Sequence, residues 1–322
     1  MDTATKSQVR QADPAAITEA ARLLRAGRLV AFPTETVYGL GADATNGRAV
    51  ASIFAAKKRP KFNPLIVHVR DSAQAKEYAV FNDTARRLAD AFWPGALTLV
   101  LPRKENCALS ELASAGLETV ALRVPSHPVA ARLLAASGVP IAAPSANESG
   151  RISATTAQHV RKSLNGKVDL ILDGGATPLG LESTVIGFQE GAPVLLRAGA
   201  ISRDDIERIA GSLSVPTSLA LQAPGQLASH YAPSASLRLN ATSVSASEVL
   251  LAFGPHAPSG ARLTLNLSQN SELNEAAANL FAMLHALDAT GLPIAVMRIP
   301  GQGLGEAIND RLRRAAAPRE AT

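Results

Sequence analysis

Cysteine is almost absent from this chain: Cys107 is the single one among 322 residues. One thiol cannot form a disulfide within the chain or a cysteine-based zinc site, and such a chain is typical of a reducing compartment. An apolar run of membrane-spanning length is also missing, and the N-terminal MDTATKSQVR lacks the apolar core of a signal peptide. These absences predict a soluble, cytoplasmic protein without a membrane partner.

Aromatic residues are scarce as well, at 4% of the chain, whereas 47% of the residues are hydrophobic and 18% are charged. This composition predicts an α/β protein of one large or two medium domains, and it argues against an RNA-binding protein that stacks bases on aromatic rings. The net charge of +5 and the pI of about 9.6 are compatible with a nucleotide or RNA partner. A positive charge this small does not establish such a partner.

Several common catalytic motifs are missing from the chain. It contains no G-x-x-x-x-G-K-[ST] phosphate-binding loop, no H-E-x-x-H, and no G-x-S-x-G nucleophile turn. Its six histidines show no metal-ligand spacing. The glycine-rich stretches GLGADA and GQGLGE do not complete G-x-G-x-x-G after a strand, so they indicate ordinary turns. The absences argue against a P-loop site and weaken a serine-hydrolase interpretation.

Strand-like and helix-like segments alternate through the first two thirds of the chain. Asp13 and Pro14 predict the start of a helix and Gly27 its end. The strand RLVAF and a loop PTETVYGLG are expected next. Further strands are expected at PLIVHV, ALTLVL, TVALRVP, PIAAPS, LILDGG, STVIGF and PVLLRAG, with helices such as RAVASIFAAKK, DTARRLADAF and HPVAARLLAASG between them. The pattern predicts a twisted, open, mixed sheet with helices over residues 10–212.

The last third of the chain has a different organisation. Residues 213–236, rich in Pro, Ser and Gly, are expected to form a long linker, and linkers of this length are often lids or binding loops. Residues 237–320 are expected to form a small α/β domain. Its strands are predicted near LRLN, EVLLAFG, RLTLNLS and PIAVMRI, and its helices near SELNEAAANLFAMLHALDATG and GEAINDRLRRAAA.

Five polar clusters occur at the ends of the predicted strands of the large sheet. They are residues 33–39 (PTETVYG), the basic segment 57–63 (KKRPKFN) with His68, Arg123 within TVALRVP, residues 143–151 (APSANESGR), and residues 180–184 (GLEST) with Arg197. Each alone has a structural explanation, such as a capped turn or a helix end whose cations face the helix dipole. Together they indicate a ligand site, because open α/β sheets bind ligands at their strand ends.

The chemistry of these clusters suits a polyanion. An arginine such as Arg123 inside an apolar strand is costly unless its charge is paired or bound. The clusters offer Lys, Arg, Ser, Thr and Asn donors, few carboxylates, and no nucleophile with a partnered base. Phosphoryl or nucleotidyl transfer needs this combination, because positioning and charge neutralisation carry most of that catalysis.

The motifs PTETVYGLG, K-x-R-P-x-x-NPLIVH, FWPGALTLVL, VALRVPSHP, APSANESGR, GLESTV and LLRAG closely resemble those of the YrdC-like threonylcarbamoyl-AMP synthases. The K-x-R and S-x-N pairs of that family correspond to Lys57 with Arg59 and to Ser145 with Asn147. APGQLASHYAP and GLGEAINDRLRRAA resemble the long form. The resemblance therefore implies a YrdC-like domain, a linker that serves as a lid, and a small Rossmann-like C-terminal domain.

The resemblance also implies a reaction. L-Threonine, bicarbonate or CO₂, and ATP would give L-threonylcarbamoyladenylate and pyrophosphate. A tRNA threonylcarbamoyl-transferase complex would then use the product, and we expect no more than a weak contact with tRNA itself. Mg²⁺ would arrive with ATP rather than occupy a dedicated carboxylate site.

Site residues follow by matching motifs position by position. Lys57 and Arg59 would be catalytic, with Lys57 near the phosphates. The residues expected to bind ATP are Arg59, Asn63, Thr119, Ser145, Asn147, Ser153, Arg197 and, from the linker, Tyr231. The residues expected to bind threonine are Thr36, His68, Arg123 and Ser183, with Arg123 facing the carboxylate.

The chain departs from the family pattern around Ser153. Relatives usually show SGRPSPTTA where this chain has SGRISATTA, so Ile152 and Ala154 replace prolines. We therefore expect a looser loop and a less secure role for Ser153.

A carbamoyl-adenylate enzyme of the hydrogenase-maturation type is one alternative function, although a single cysteine excludes the zinc fingers of that class. A non-catalytic RNA-binding module is the other.

Overall fold

The computed structural model describes residues 7–214 and 230–318, and its larger domain is built on one ten-stranded mixed sheet. The strands are β1 (Gln8–Gln11), β2 (Val30–Pro33), β3 (Tyr38–Asp43), β4 (Ile66–His68), β5 (Leu97–Pro102), β6 (Thr119–Arg123), β7 (Ile141–Ala142), β8 (Leu170–Asp173), β9 (Thr184–Gln189) and β10 (Ala192–Arg197). Their order across the sheet is β1-β8-β2-β3-β7-β4-β6-β5-β9-β10. The expected open mixed sheet is thereby confirmed.

Helices cover this sheet, and the first one shows how the sequence sets their bounds. The helices are α1 (Pro14–Arg25), α2 (Gly47–Lys57), α3 (Ser72–Tyr78), α4 (Asp83–Phe92), α5 (Pro128–Ser137), α6 (Ala157–Leu164) and α7 (Arg203–Ala210). At the start of α1, the Asp13 side chain accepts a hydrogen bond of 2.7 Å from the Ala16 amide. Just past its end, Gly27 has a φ of +74°, which few other residues adopt without strain.

The expectation that PTETVYGLG is a loop is wrong for its second half. Tyr38–Asp43 forms β3, which pairs antiparallel with β2. Glycine disfavours strands in general, but Gly41 is needed here for close packing. A Cβ at Gly41 would lie 2.8 Å from side-chain atoms of both Phe32 and Ile141. Tertiary packing therefore overrides the local propensity of this segment.

The register of the central strands decides which side chains face one another. β4 runs parallel to β6, with His68 opposite Arg123, and β5 runs antiparallel to β6. Side chains alternate along a strand, so Val120 and Leu122 enter the largest core cluster while Ala121 joins a small cluster on the opposite face. Thr119 and Arg123 share that opposite face with Ala121.

The C-terminal domain has its own four-stranded parallel sheet, in the order β11-β14-β12-β13. Its elements are β11 (Leu237–Arg238), β12 (Val249–Ala252), β13 (Thr264–Asn266), α8 (Leu273–Asp288), β14 (Ile294–Val296) and α9 (Gly305–Ala316), at the positions expected from the sequence. The predicted domain limits remain a prediction. Within the predicted linker, residues 215–229 lie outside the described residues, as do residues 319–320 of the predicted C-terminal domain.

The two domains pack tightly against each other along α8. One hydrophobic cluster contains Val37 and Leu181 of the large domain together with Phe281 and Leu284 of α8. At Gly180 a Cβ would lie 2.5 Å from the carbonyl oxygens of Ala277 and Ala278. Across both described segments, no helix is long and apolar enough to cross a membrane.

Candidate active site

One cavity collects side chains from all five polar clusters of the sequence. It is narrow, about 40 Å³, and lies at the start of β3 and at the ends of β4, β6 and β10. The predicted site residues that line it are Thr36, Arg59, His68, Arg123, Ser145, Ser183, Arg197 and Tyr231. The expectation that these clusters meet at the edge of one sheet is confirmed by this geometry.

Three buried arginines make the cavity cationic. Arg59, Arg123 and Arg197 all line it, and each is at most 7% exposed. Backbone carbonyls hold two of them: Arg59 donates to Pro64 at 2.9 Å, and Arg197 donates to Ser183 at 2.9 Å. Burial lowers the pKa of Arg59 to about 10, which leaves the guanidinium charged at neutral pH. An anion is the natural ligand for such a group.

Arg123 already has a carboxylate partner inside the protein. Its Nη2 lies 2.7 Å from Oε1 of Glu35, its Nη1 donates to Thr36 at 2.9 Å, and its Nε donates to the carbonyl of Gly95 at 3.1 Å. Burial would raise the pKa of Glu35, but Arg123 outweighs it and lowers that pKa, so Glu35 is ionised at neutral pH. Glu35 was not among the predicted site residues, although a buried arginine requires such a partner.

Several buried polar atoms around the cavity lack a hydrogen-bond partner within the described residues. They are both side-chain heteroatoms of Asn63, Nδ1 of His68, Oδ1 of Asn147 and Nδ1 of His230. An unsatisfied buried polar atom costs roughly 1–3 kcal/mol, and native proteins contain few of them. Their concentration around one cationic cavity indicates a polar ligand.

Lys57 is placed differently from expectation. Its ammonium donates to the carbonyl of Ser145 at 2.6 Å and also to the carbonyl of Asn147, and it does not line the cavity. Burial, followed by the nearby charge of Arg59, lowers the pKa of Lys57 well below its usual value. Of the two residues of the K-x-R motif, Arg59 thus lines the cavity. Lys57 fixes the backbone of the S-x-N segment through hydrogen bonds to its carbonyls.

Asn147 and Ser153 lie in the buried wall beside the cavity. The Asn147 amide donates to the carbonyls of Glu148 and Arg151 at 2.9 Å, which fixes the turn that contains it. Ser153 is fully buried, and its hydroxyl donates to Oε1 of Glu182 at 2.5 Å. Glu182 itself lines the cavity, so Ser153 is one side chain away from it.

The loop that contains Ser153 is not loose, contrary to expectation. Ile152 is 2% exposed and Ala154 is 1% exposed, and the two belong to different core clusters. Tertiary packing therefore fixes this loop without a proline at either position.

Thr119 does not line the cavity, so the structure does not bring it together with the other predicted residues. It lies on the same face of β6 as Arg123, four residues away, which corresponds to about 13 Å along a strand. There it lines an apolar groove of about 630 Å³ together with Val100 and Leu196, and no residue of this groove also lines the cavity.

Sequence reasoning missed the contribution of the C-terminal domain. Arg311 of α9 donates from Nε to Glu182 at 2.8 Å, and its guanidinium lies 5.1 Å from the ring centroid of Tyr231. Phe281 of α8 stacks on the Tyr231 ring, with the ring centroids 5.6 Å apart. The Tyr231 position depends on residues 50 or more positions away in the chain, which no local pattern reveals.

The described part of the chain offers no ready-made metal site, since no group of three or more His, Cys, Asp or Glu side chains is placed to hold an ion. The carboxylates nearest the cavity, Glu35 and Glu182, are each engaged by an arginine. The cavity is therefore built to bind negative charge.

Comparisons with known proteins agree with this geometry. Residues 22–199 match the Sua5/YciO/YrdC family, described as "Telomere recombination", and residues 201–317 match the family of threonylcarbamoyl-AMP synthase C-terminal domains. The threonylcarbamoyl-AMP synthase of Bacillus subtilis is 41% identical over 94% of this chain and 93% of its own length. The enzyme of that name from Pyrococcus abyssi is 40% identical over 93% and 94%. The crystal structure of P. abyssi Sua5 complexed with L-threonine superposes with a TM-score of 0.88, covering 96% of each chain.

Proposed function

The chain belongs to the threonylcarbamoyl-AMP synthase family of nucleotidyltransferases, and we propose that it makes L-threonylcarbamoyladenylate and pyrophosphate from L-threonine, bicarbonate or CO₂, and ATP. The product would pass to a tRNA threonylcarbamoyl-transferase complex. The observation that carries this proposal is the convergence of Arg59, Arg123 and Arg197 on one cavity. Two anionic reactants must meet in this reaction, and three buried cations offset their repulsion.

Threonine is proposed to bind at the Arg123 end of the cavity, with Thr36, His68 and Ser183. Arg123 retains N–H donors beyond those that bind Glu35, Thr36 and Gly95, and these suit the substrate carboxylate. Burial lowers the pKa of His68 to about 3, so its ring is neutral and can exchange a hydrogen bond with a hydroxyl. The P. abyssi relative was solved with L-threonine, which supports this assignment.

ATP is proposed to bind along the same sheet face, from the cavity towards Thr119. Arg59, Arg197, Ser145 and the unsatisfied amide of Asn63 would contact the phosphates. The apolar groove beside Thr119 has room for the adenosine. Asn147 and Ser153 would support this site from its wall, and Lys57 would do so by holding the Ser145–Asn147 backbone.

Entry of ATP requires the end of the linker to move. His230 and Tyr231 line a cavity of only about 40 Å³. Pockets that hold small-molecule ligands measure roughly 300–1,000 Å³, so a triphosphate does not fit in this cavity. We therefore propose that His230 and Tyr231 move aside for ATP and close over it, as lid residues do.

Mg²⁺ is proposed to accompany ATP. The site residues fit this arrangement, because both nearby carboxylates are engaged by arginines and phosphate oxygens are the ligands that remain. When bound, Mg²⁺ would neutralise part of the triphosphate charge. The protein side chains would bind and orient the substrates and exclude water.

The proposed chemistry has two steps. The amine of threonine forms an N–C bond with CO₂ and loses a proton, which gives a carbamate. A carbamate oxygen then attacks the α-phosphorus of ATP in line, and the bond to the departing pyrophosphate breaks. Arg123 would hold the carboxylate while Arg59 and Arg197 offset the repulsion, and such alignment can supply roughly 7–11 kcal/mol of the barrier.

Mass spectrometry of a reaction with ATP, bicarbonate and L-threonine tests this proposal, together with pyrophosphate release. We expect the threonylcarbamoyladenylate mass and threonine-dependent pyrophosphate, and a fall of at least about 100-fold in turnover for Arg59→Ala. Arg48→Ala is the matched control, because Arg48 is an exposed arginine on α2. Absence of the product mass overturns the proposal, and tRNA binding with a steep salt dependence but no pyrophosphate would favour an RNA-binding module.

A further inference from the structure

Two histidines stack on each other at the contact between the domains. His159 lies on α6 of the large domain and His285 in the last turn of α8. Their ring centroids are 3.9 Å apart, and the ring planes differ by 24°. The mechanism proposed above uses neither ring, so this contact needs its own explanation.

Each ring also makes a hydrogen bond to the loop 151–156. Nε2 of His285 lies 3.1 Å from the carbonyl oxygen of Ser153 and must donate to it. Nδ1 of His159 lies 3.4 Å from the amide of Thr155 and must accept from it. His159 must therefore be neutral, with its proton on Nε2, because a charged ring has no nitrogen that can accept. His285 can donate from Nε2 whether its ring is neutral or charged.

The C-terminal domain thus fixes Ser153 twice. His285 binds its backbone carbonyl, and Arg311 acts on its hydroxyl through Glu182. No proline stiffens the loop, because Ile152 and Ala154 flank Ser153. The contacts of the folded protein therefore determine where Ser153 lies.

The charged groups around the rings disfavour protonation. On α6, Lys162 acts on both rings, and each ring would also face the other as a second cation. On α8, Asp288 is engaged by the amide of Ala235, and on the loop, Arg151 donates to Ser234. Burial first, then His285 and Lys162, lower the pKa of His159 to about 4. Burial and Lys162 lower the pKa of His285 to about 4, although its hydrogen bond to Ser153 acts in the opposite direction.

We propose that His159 and His285 form a clasp between the domains that positions the Ser153 loop for ATP and releases it when His159 is protonated. The role in ATP binding rests on the proposed function, whereas the clasp itself does not. Both histidines are positioning residues, because they act on the nucleotide site through the loop.

The pH range in which the clasp weakens follows from the direction in which the pKa of the two histidines is shifted. An unclasped histidine takes up a proton below about pH 6.5, whereas the clasped rings resist protonation down to about pH 4. The clasp is therefore fully present above pH 6.5, weakens as the pH falls from 6.5 towards 4, and loses nothing further below that.

The first test compares single variants at pH 7.5. His285→Phe keeps a stacking ring but loses the donor to Ser153, so we expect lower amide-exchange protection over residues 151–156. We also expect a KM for ATP roughly 2- to 12-fold higher, with the KM for threonine unchanged, as for the loss of one hydrogen bond. His285→Gln, whose amide can donate, should recover most of both effects. His256→Phe, at an exposed histidine of the same domain, is the matched control.

The second test uses the wild-type protein and so does not depend on the folding of a variant. The imidazole C2–H signals of His159 and His285 should show neutral rings at pH 5.5, and protection factors over residues 151–156 should fall between pH 6 and 4. Charged rings at pH 5.5, or protection that His285→Phe leaves unchanged, overturn the clasp. If protection responds as expected but no threonylcarbamoyladenylate forms, the clasp stands and the proposed function falls.

Discussion

Two buried arginine–glutamate pairs border the same cavity, and they differ in how completely they are bonded. Arg311 donates to Glu182, Asp310 and the carbonyl of Ala198, and Glu182 accepts from Ser153 as well. In the pair of Arg123 with Glu35, the atoms are 2.7 Å apart, yet Nη2 of Arg123 and both carboxylate oxygens lack an aligned hydrogen bond.

This difference in bonding indicates that the pair of Arg311 with Glu182 is structural, whereas the pair of Arg123 with Glu35 can bind substrate. A pair whose donors and acceptors are all satisfied gains nothing from a further ligand. An under-bonded pair in a cavity can accept a second carboxylate with little rearrangement. Burial and charge are shared by both pairs, so two other differences mark Arg123 as the binding group. Arg123 lines the cavity, which Arg311 does not, and its pair is less well aligned.

The largest effect is expected from Arg123→Gln. Removal of one partner of a buried charged contact to a ligand costs about 2–5 kcal/mol, so kcat/KM for threonine should fall roughly 30- to 5,000-fold. The stranded carboxylate of Glu35 should also lower the free energy of unfolding by about 3–5 kcal/mol. Steady-state pyrophosphate release and urea unfolding measure the two effects.

A double variant separates binding from folding at this pair. Glu35→Gln combined with Arg123→Gln leaves no unpaired charge, so stability should largely return while activity stays low. Recovery of activity in the double variant would show that Arg123 is only a partner for Glu35.

A smaller effect on turnover is expected from Arg311→Met. This change strands Glu182, so unfolding should become easier by about 3–5 kcal/mol. The site side chains remain, and activity should fall mainly through a higher KM for ATP, because Tyr231 and Ser153 lose their support. Restored stability in Glu182→Gln combined with Arg311→Met would confirm the structural role, whereas a change confined to the KM for threonine would contradict it.

The sequence predicted one of these pairs in part and the other not at all. Arg123 interrupts an apolar strand, which is a local signal of a special role, but its partner Glu35 appeared only as a turn residue. Glu182 and Arg311 are 129 positions apart, and their contact depends on how α9 packs against the large domain. Pair contacts between domains leave no periodic or local pattern to find.

Elements were predictable where burial follows a simple period, and less so where packing overrides propensity. The four strands and two helices of the C-terminal domain lie where expected, and the central strands VLLA and IAV have clear apolar runs. β3 was missed because its glycines make room for Phe32 and Ile141. β1 was missed because QVRQ shows no alternation, yet it pairs with β8 at the sheet edge.

The smallest effect is expected at Thr119, which lies on the same face of β6 as Arg123 but outside the cavity. If adenosine occupies the apolar groove, Thr119→Val removes at most one neutral hydrogen bond, worth about 0.5–1.5 kcal/mol. The KM for ATP should then rise roughly 2- to 12-fold, while the KM for threonine stays constant because Arg123 is about 13 Å away. Thr18→Val, at an exposed threonine of α1, is the matched control. A KM for ATP that does not change would place the adenosine elsewhere and restrict the nucleotide site to the arginine-lined cavity. A change in the KM for threonine instead would mean that ATP and threonine do not bind at opposite ends of this face of β6.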